Sequence, residues 1–291
     1  MEIQQIRYFL AVCDKSSFTR AAQSTYVAQP SLTQAIKKLE DELGGELFTR
    51  DRSGCRLTPL GRFVEPTLRQ IFRETQSVKA DAIRFNRLNT VPLRIGVMNT
   101  IAAQYLSPLF TDFQQEQPHV ELELIVDCES NLLKLLDDGT LDVVISAPTS
   151  PPAGHYHSLR LYEERYVVVF NDKHRFNQFE QIDLVTIQQE PYLDRLNCEL
   201  REELRNVCHD RQIDLYAAYR SNSEEWILTM VRAGIGIALM PEFTIPKTTD
   251  NLNFRYLSDP EILRTVQVFF QPASVANPEV NQLLEKMRVN F

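Results

Sequence analysis

With 291 residues the chain is too long for one small domain, and 43% apolar and 24% charged residues allow a substantial core while excluding wholesale disorder. A formal charge of −8, taken as an average, argues against a uniformly basic nucleic-acid-binding protein. No apolar run is long enough to span a bilayer and the N-terminus lacks the layout of a signal peptide, so a cytoplasmic protein without membrane contact is expected.

The five cysteines are scattered and form no Cys-x-x-Cys pair, which fits a reducing compartment and gives no support to a zinc site or disulfide framework. The average charge hides two unlike parts. Residues 1–88 hold 14 Lys and Arg against 10 Asp and Glu, a net of +4, and the remainder holds 17 against 29, a net of −12. Such asymmetry marks a basic nucleic-acid-binding segment joined to an acidic body, which would keep non-specific DNA binding low.

The first 58 residues read as short helices. Ile6, Phe9, Leu10 and Cys13 recur at helical spacing and mark a buried face. Ser17 offers an N-cap oxygen to a second helix through Phe18, Ala21 and Ala22. A polar turn, Ser24 to Val27, leads to a third helix whose start is signalled by Pro30. Leu32, Ile36, Leu39 and Leu43 form its inward stripe. Gln29, Ser31, Thr33, Gln34, Lys37 and Lys38 lie off that stripe.

Glutamine can bond bidentately to adenine, serine and threonine reach phosphates or base edges, and lysine neutralises phosphate. Two short helices followed by a polar-faced third is the layout of a helix-turn-helix. The glycines around Leu47 to Thr58 frame an extended basic stretch that reads as a β-ribbon wing. A solvated helical bundle whose polar face binds nothing is the alternative.

The runs Phe9-Leu10-Ala11-Val12, Ser17-Phe18-Thr19-x-Ala21-Ala22 and Ala28-Gln29-Pro30-Ser31-Leu32-Thr33 closely resemble the N-terminal motif of LysR-type transcriptional regulators. The match continues through Ile36-x-x-Leu39-Glu40-x-x-Leu43-Gly44, Leu47-Phe48-x-Arg50 and Leu57-Thr58-x-x-Gly61. The resemblance implies a bacterial winged helix-turn-helix protein with Gln29, Pro30, Ser31, Thr33, Gln34, Lys37 and Lys38 at the DNA. Arg50 and Arg52 would lie near the minor groove or backbone. Gln34-Ala35 departs from the family's pattern, where many relatives carry a basic residue, and leaves the base preference open.

Thr58 and Pro59 open a long fourth helix over 59–88, on the order of 40 Å in length. Along it Val64, Leu68, Ile71, Thr75, Val78, Ala82 and Phe85 alternate steps of four and three, a seam for pairing with another helix. Packing on its own domain is the alternative. Pro66 removes a bond to Arg62 and is expected to kink the axis. The resemblance implies dimerisation through this helix, and a homotetramer.

From residue 89 onward strand and helix signals alternate, as in a parallel α/β sheet. Strands are expected at Leu93–Met98, Val120–Val126, Gly139–Ser146, Tyr166–Phe170, Leu215–Tyr219, Gly234–Pro241 and Val266–Phe270. Helices are expected through Leu106–Phe113, Leu132–Leu136, Glu199–Asp210, from Glu224, and over Val280–Met287. This order resembles the family's effector-binding domain, a two-lobed α/β fold like that of periplasmic solute-binding proteins. The lobes are expected at about 91–164 plus 265–291 and at 165–264.

Ligands in such sheets sit beyond the carboxyl ends of strands, where helix N-termini favour an anion. The candidate effector contacts are Asn99, Thr100, Ser130, Ser146, Cys198 and Ser223, Thr100 also by family position. Each hydroxyl could equally serve as the cap of its own helix. Asn197 to Glu202 resembles the segment around the reactive cysteine of peroxide-sensing members of the family. Arg195, Arg201 and a helix N-terminus would favour the Cys198 thiolate, with Cys208 as resolving partner. The two cysteines stand one position further apart than in those members. Along one helix they would be roughly 15 Å apart, whereas a disulfide needs Cα atoms within about 7 Å.

His155-x-His157 lies in a Pro-rich loop without metal-ligating partners, so no metal or other cofactor is expected. There is no Gly-x-Ser-x-Gly, His-Glu-x-x-His or Gly-rich phosphate loop, which weighs against an enzyme. The expected function is a LysR-type regulator that binds promoter DNA and a small, anionic effector, with RNA polymerase a further candidate partner. A thiol-based oxidant sensor on the same scaffold is the alternative, and a DNA-localised fusion enzyme a distant third.

Overall fold

The computed structural model describes residues 1–51, 54–88, 90–245 and 251–291. Two compact units divide the chain, residues 1–89 with 138–140 and residues 90–137 with 141–291.

The first unit begins with three helices, α1 (Ile3–Lys15), α2 (Phe18–Thr25) and α3 (Gln29–Leu43). A two-stranded ribbon follows, β1 (Phe48–Asp51) paired antiparallel with β2 (Gly54–Leu57). Ile6, Phe9, Phe18, Ala21, Leu32, Ile36, Leu39, Leu47 and Phe48 close one core. Ser17 caps α2 by accepting from the Arg20 amide at 3.4 Å. The turn before α3 is shorter than the expected Ser24–Val27. Ser24 and Thr25 stay helical because their hydroxyls donate to the Ala21 carbonyl at 2.9 and 2.8 Å, so neither pulls the backbone out of its ladder. The reversal falls on Tyr26, which adopts the left-handed conformation at φ 60°. Ala28 is the N-cap of α3, which places Pro30 second in the helix.

Thr58 opens α4 (Pro59–Leu88) as expected, accepting from the Gly61 amide at 2.9 Å while its hydroxyl donates to the Glu46 carbonyl at 2.6 Å. Gly61 is required there, because a Cβ would stand 2.3 Å from the Leu47 carbonyl oxygen. The helix is unbroken through Pro66. Its apolar seam divides. Val64, Leu68 and Ile71 pack against the core of α1 to α3, whereas Val78 and Phe85 are 66% and 53% exposed. Only the distal part of the expected seam is free for a partner.

The second unit carries eight paired strands in one sheet among the described residues. The strands are β3 (Val91–Met98), β4 (Val120–Asp127), β5 (Val143–Ser146), β6 (His157–Asn171), β7 (Gln181–Asp183), β10 (Ala238–Pro241), β11 (Leu252–Asp259) and β12 (Leu263–Phe270). β8 (Tyr192–Arg195) and β9 (Ala217–Ser221) form a separate parallel pair. The helices are α5 (Ala103–Glu116), α6 (Glu129–Asp137), α7 (Leu184–Ile187), α8 (Arg201–Asp210), α9 (Glu224–Arg232) and α10 (Pro278–Asn290). The sheet order is β4-β3-β5-β12-β6-β11-β7, with β10 also on β6.

β6 joins the two lobes. Its first half, His157 to Arg165, pairs antiparallel with β12, and its second half, Tyr166 to Asn171, pairs with β10 and β11. The first lobe closes on Leu93, Ile95, Leu106, Phe113, Leu132, Val144, Val268 and Leu283. In the second lobe the pleat of β6 sends Tyr166, Val168 and Phe170 into one cluster and Val167 and Val169 into another.

Several expected boundaries are corrected. β6 begins at His157, well before the expected Tyr166, since Glu163 and Glu164 interrupt the apolar run without interrupting the pairing with β12. Strands β7, β8 and β11 are additional. The strand expected at Leu215–Tyr219 pairs over Ala217–Ser221. The helix expected from Glu199 starts at Arg201, so Cys198 and Glu199 sit in the turn before it.

Candidate DNA-reading face and effector cleft

The buried stripe of α3 fixes what its other faces present. Gln29, Pro30, Ser31, Gln34, Lys37 and Lys38 are exposed and Thr33 is half-buried. They divide between two grooves. Thr33 and Lys37 line a hollow of about 840 Å³ with Phe18, Gly44, Gly45 and Thr49 of the ribbon side. Ser31, Gln34 and Lys38 line a smaller one of about 200 Å³ with Glu2, Gln4 and Tyr8 of α1. Gln29 leans on α2, accepting from the Thr19 hydroxyl at 3.4 Å. Glu40 at the edge of the larger hollow is committed to the wing, accepting from the Leu47 amide at 2.8 Å. Arg50 stands on β1 opposite Cys55. Its side chain, and the whole of Arg52, lie outside the described residues.

The cleft of the second unit is filled by the chain's own side chains. Arg264, on β12 and 7% exposed, lies between two carboxylates. It donates to Glu164 Oε1 through Nε at 2.9 Å and Nη2 at 2.7 Å. It also donates through Nη1 to Glu199 and to the Thr100 hydroxyl at 2.8 Å, and through Nη2 to the Thr100 carbonyl at 2.6 Å. Thr100, 4% exposed, passes its own hydrogen to Glu199 Oε2 at 3.0 Å. Tyr166 donates to Glu199 Oε1. The Glu199 carboxylate thus takes three donors from three parts of the fold.

Beside it, Arg195 donates to Cys198 Sγ at 3.1 Å and to Glu224 Oε2 at 3.3 Å. The Tyr166 hydroxyl is 3.7 Å from Cys198 Sγ. Burial opposes the ionisation of Glu199, yet Arg264, Arg195 and the Tyr166 bond hold its carboxyl below the usual range. Burial pushes Glu129, Glu164 and Glu224 up. It also pushes the Cys198 thiol up, against the pull of Arg195. The crevice left between Asn99, Thr100, Arg195, Asn197 and Glu224 is about 10 Å³.

The sequence-derived effector candidates separate accordingly. Thr100 stands at the centre. Asn99 lines the residual crevice, and its buried Oδ1 has no hydrogen-bond partner. Ser146 is buried and donates to Glu129 Oε2 at 2.5 Å. Ser130 is exposed, 3.4 Å from Cys128 Sγ. Ser223 is the N-cap of α9, accepting from the Trp226 amide at 3.4 Å. Cys208 is in the apolar core against which Cys198 also packs. Glu164, Glu199 and Arg264 were not among the candidates. The available signal was a charged residue inside an apolar strand, at Glu164 and Arg264. His157 stacks near Phe270 at 5.7 Å, and no group of three or more potential metal ligands occurs among the described residues. No helix of the described residues is long and apolar enough to cross a membrane.

Residues 3–62 match the family model of the bacterial regulatory helix-turn-helix proteins of the lysR family, and residues 87–290 match the LysR substrate binding domain. The chain belongs to the LysR family of transcriptional regulators. LysR-type relatives include the DNA-binding transcriptional dual regulator OxyR of Escherichia coli K12, 29% identical over 295 residues, covering 100% of this chain and 96% of that protein. The hydrogen peroxide-inducible genes activator of Haemophilus influenzae is 27% identical, covering 99% and 100%. Among solved structures, a full-length OxyR variant from Pseudomonas aeruginosa is 25% identical with a TM-score of 0.64, covering 99% of this chain and 98% of that one. The LysR regulator CbnR complexed with its target DNA, at 20% identity and a TM-score of 0.65 over 100% of both chains, shares the fold.

Proposed function

We propose that this LysR-type regulator binds promoter DNA as a homo-oligomer and changes its DNA contacts when a small effector enters the cleft of the second unit. Residues 1–58 form the DNA-binding domain, 59–88 the oligomerisation helix and 89–291 the effector domain. The lobes of that domain are about 91–164 plus 265–291 and 165–264. The observation that carries the reading is the face of α3, where Gln29 to Lys38 present amides, hydroxyls and ammonium groups above a fully apolar underside. Gln29, Pro30, Ser31, Thr33, Gln34, Lys37 and Lys38 enter the major groove, and Arg50 and Arg52 reach the flanking backbone. The exposed distal seam of α4 pairs two chains, and two such pairs make a tetramer. The protein works in the cytoplasm, beside RNA polymerase. Replacing Thr33 and Lys37 together with alanine should abolish sequence-specific gel shifts while leaving the oligomer mass unchanged. Persistent specific binding would overturn the assignment of α3.

A second reading is favoured by one contact, the Arg195 guanidinium 3.1 Å from Cys198 Sγ. Relatives of this chain are named hydrogen peroxide-inducible genes activator. On that reading an oxidant converts Cys198 to a sulfenic acid, and Cys208 becomes its partner after local unfolding. A gel shift with Cys198→Ser, with and without hydrogen peroxide, decides it. An unchanged response in that variant removes the reading.

A further inference from the structure

We infer that Glu199 is the cleft's own ligand: its carboxylate occupies a carboxylate-binding site built by Arg264, Thr100 and Tyr166, and closes the two lobes on each other without an effector. Three observations on the same group carry the inference.

The first is completeness. Glu199 Oε1 accepts from Arg264 Nη1 and Tyr166, and Oε2 accepts from Thr100 at 3.0 Å, so both oxygens are engaged by donors from β12, β6 and the turn after β3. A cationic guanidinium, a hydroxyl at the start of a helix-leading turn and a phenol are what a site would use to capture a free carboxylate. The second is origin. Glu199 comes from the turn before α8 in the second lobe, while Thr100 belongs to the first, so the bond between them spans the cleft. The side chain is 8% exposed and only about 10 Å³ of crevice remains beside it. The third is charge balance. Glu129, Glu164, Glu199 and Glu224 stand around the cleft, and among the described residues Arg195 and Arg264 are the cations paired against them. A free anion added to this set would be the fifth acid against two bases. An anion exchanged for Glu199 leaves the balance unchanged.

The ligand class of the site follows. It takes a small monocarboxylate, and only where Glu199 has been withdrawn. This rests on the proposed effector role of the cleft, but it is tested on the protein alone, without DNA, so that the two can fail separately. The full-length chain is prepared with Glu199→Ala, which vacates the site, and with Glu199→Gln, which fills it without a charge. Thermal unfolding is then measured in sodium chloride and in sodium acetate or formate at equal ionic strength. Acetate should raise the Tm of Glu199→Ala by about 3–5 °C when it binds well above its dissociation constant. It should leave the wild type and Glu199→Gln unshifted relative to chloride. Equal shifts in all three proteins, or no shift in Glu199→Ala, would overturn the inference. Should Glu199→Ala fail to fold in chloride, refolding in acetate is the readout. Recovery there supports the inference, and failure in both salts overturns it, since a tethered ligand should be replaceable by a free one. A gel shift of the wild type on promoter DNA tests the regulator reading independently.

Discussion

The Arg195 guanidinium lies 3.1 Å from Cys198 Sγ and 3.3 Å from Glu224 Oε2, so one buried cation serves a thiol and a carboxylate together. Burial nevertheless dominates at the sulfur and holds the thiol above its ordinary value. Cys198 should therefore react slowly with iodoacetamide at pH 7.5, and its rate should keep climbing as pH passes the ordinary cysteine value. Arg195→Gln should slow it further, because the pull of the guanidinium toward thiolate is lost. A rate that levels off below pH 7 in the wild type would show a thiolate already formed at neutral pH.

Glu129 makes a pH-dependent contribution to stability. Burial raises its folded-state value above the unfolded one, with repulsion from Glu199 adding to the effect and Ser146 opposing it. Stability owed to the protonated form is fully present below the unfolded value and is lost as pH rises through the folded one. Glu129→Gln locks in a neutral acceptor for the Ser146 hydroxyl. It should raise the Tm at pH 7, and the gain should shrink to nothing as pH falls to about 4. A gap between variant and wild type that stays constant over this range would count against the assignment.

On the proposed DNA-reading face of α3, Lys37 is exposed and lines the hollow shared with the ribbon. If its ammonium neutralises a phosphate, Lys37→Ala should weaken binding to specific and non-specific DNA alike. The slope of log affinity against log salt should fall by roughly one per head. Fluorescence anisotropy across a salt series measures both. A loss confined to the specific site would make Lys37 a base reader instead.

The divided seam of α4 predicts two different outcomes along one helix. Leu68 is buried in the core of the first unit, and Leu68→Ala should cost about 2–5 kcal/mol in urea unfolding of that unit. Val78 is exposed, so Val78→Glu should leave that stability intact and lower the oligomer mass seen by light scattering. An unchanged mass for Val78→Glu together with Phe85→Glu would place the oligomer interface elsewhere.

Local patterns made the first unit legible. The apolar spacing of α1 and α3, the Ser17 cap and the Thr58-Pro59 start all depend on residues within a few positions, and all appear where expected. The alternation of strands and helices was legible for the same reason. The cleft was only partly so. Thr100 could be found at the end of an apolar strand, but its partners Glu199 and Arg264 lie 99 and 164 residues further on. No periodicity links such positions. The helix expected over Glu199–Asp210 starts at Arg201, which leaves Glu199 in the turn before α8. The expected helix hid its role, since a helical Glu199 would have been one more surface acid. The α4 seam satisfies both of its readings in part, because a regular heptad pattern records that a face is apolar, not which surface covers it.

β6 runs for fifteen residues from His157 to Asn171 with neither glycine nor proline in it, and Arg264 grips its middle at Glu164. β6 itself carries an extra residue, Leu161, where its register with β12 shifts between Val266 and Gln267, the kind of bulge that adds local twist. The two lobes therefore share a continuous ribbon in place of a loose joint. Rotating one against the other means winding that ribbon, and the restoring torque rises with the angle. Such a connection behaves as a torsion spring clamped at its midpoint, so the cleft is suited to small graded rotations and poorly suited to a wide, free swing.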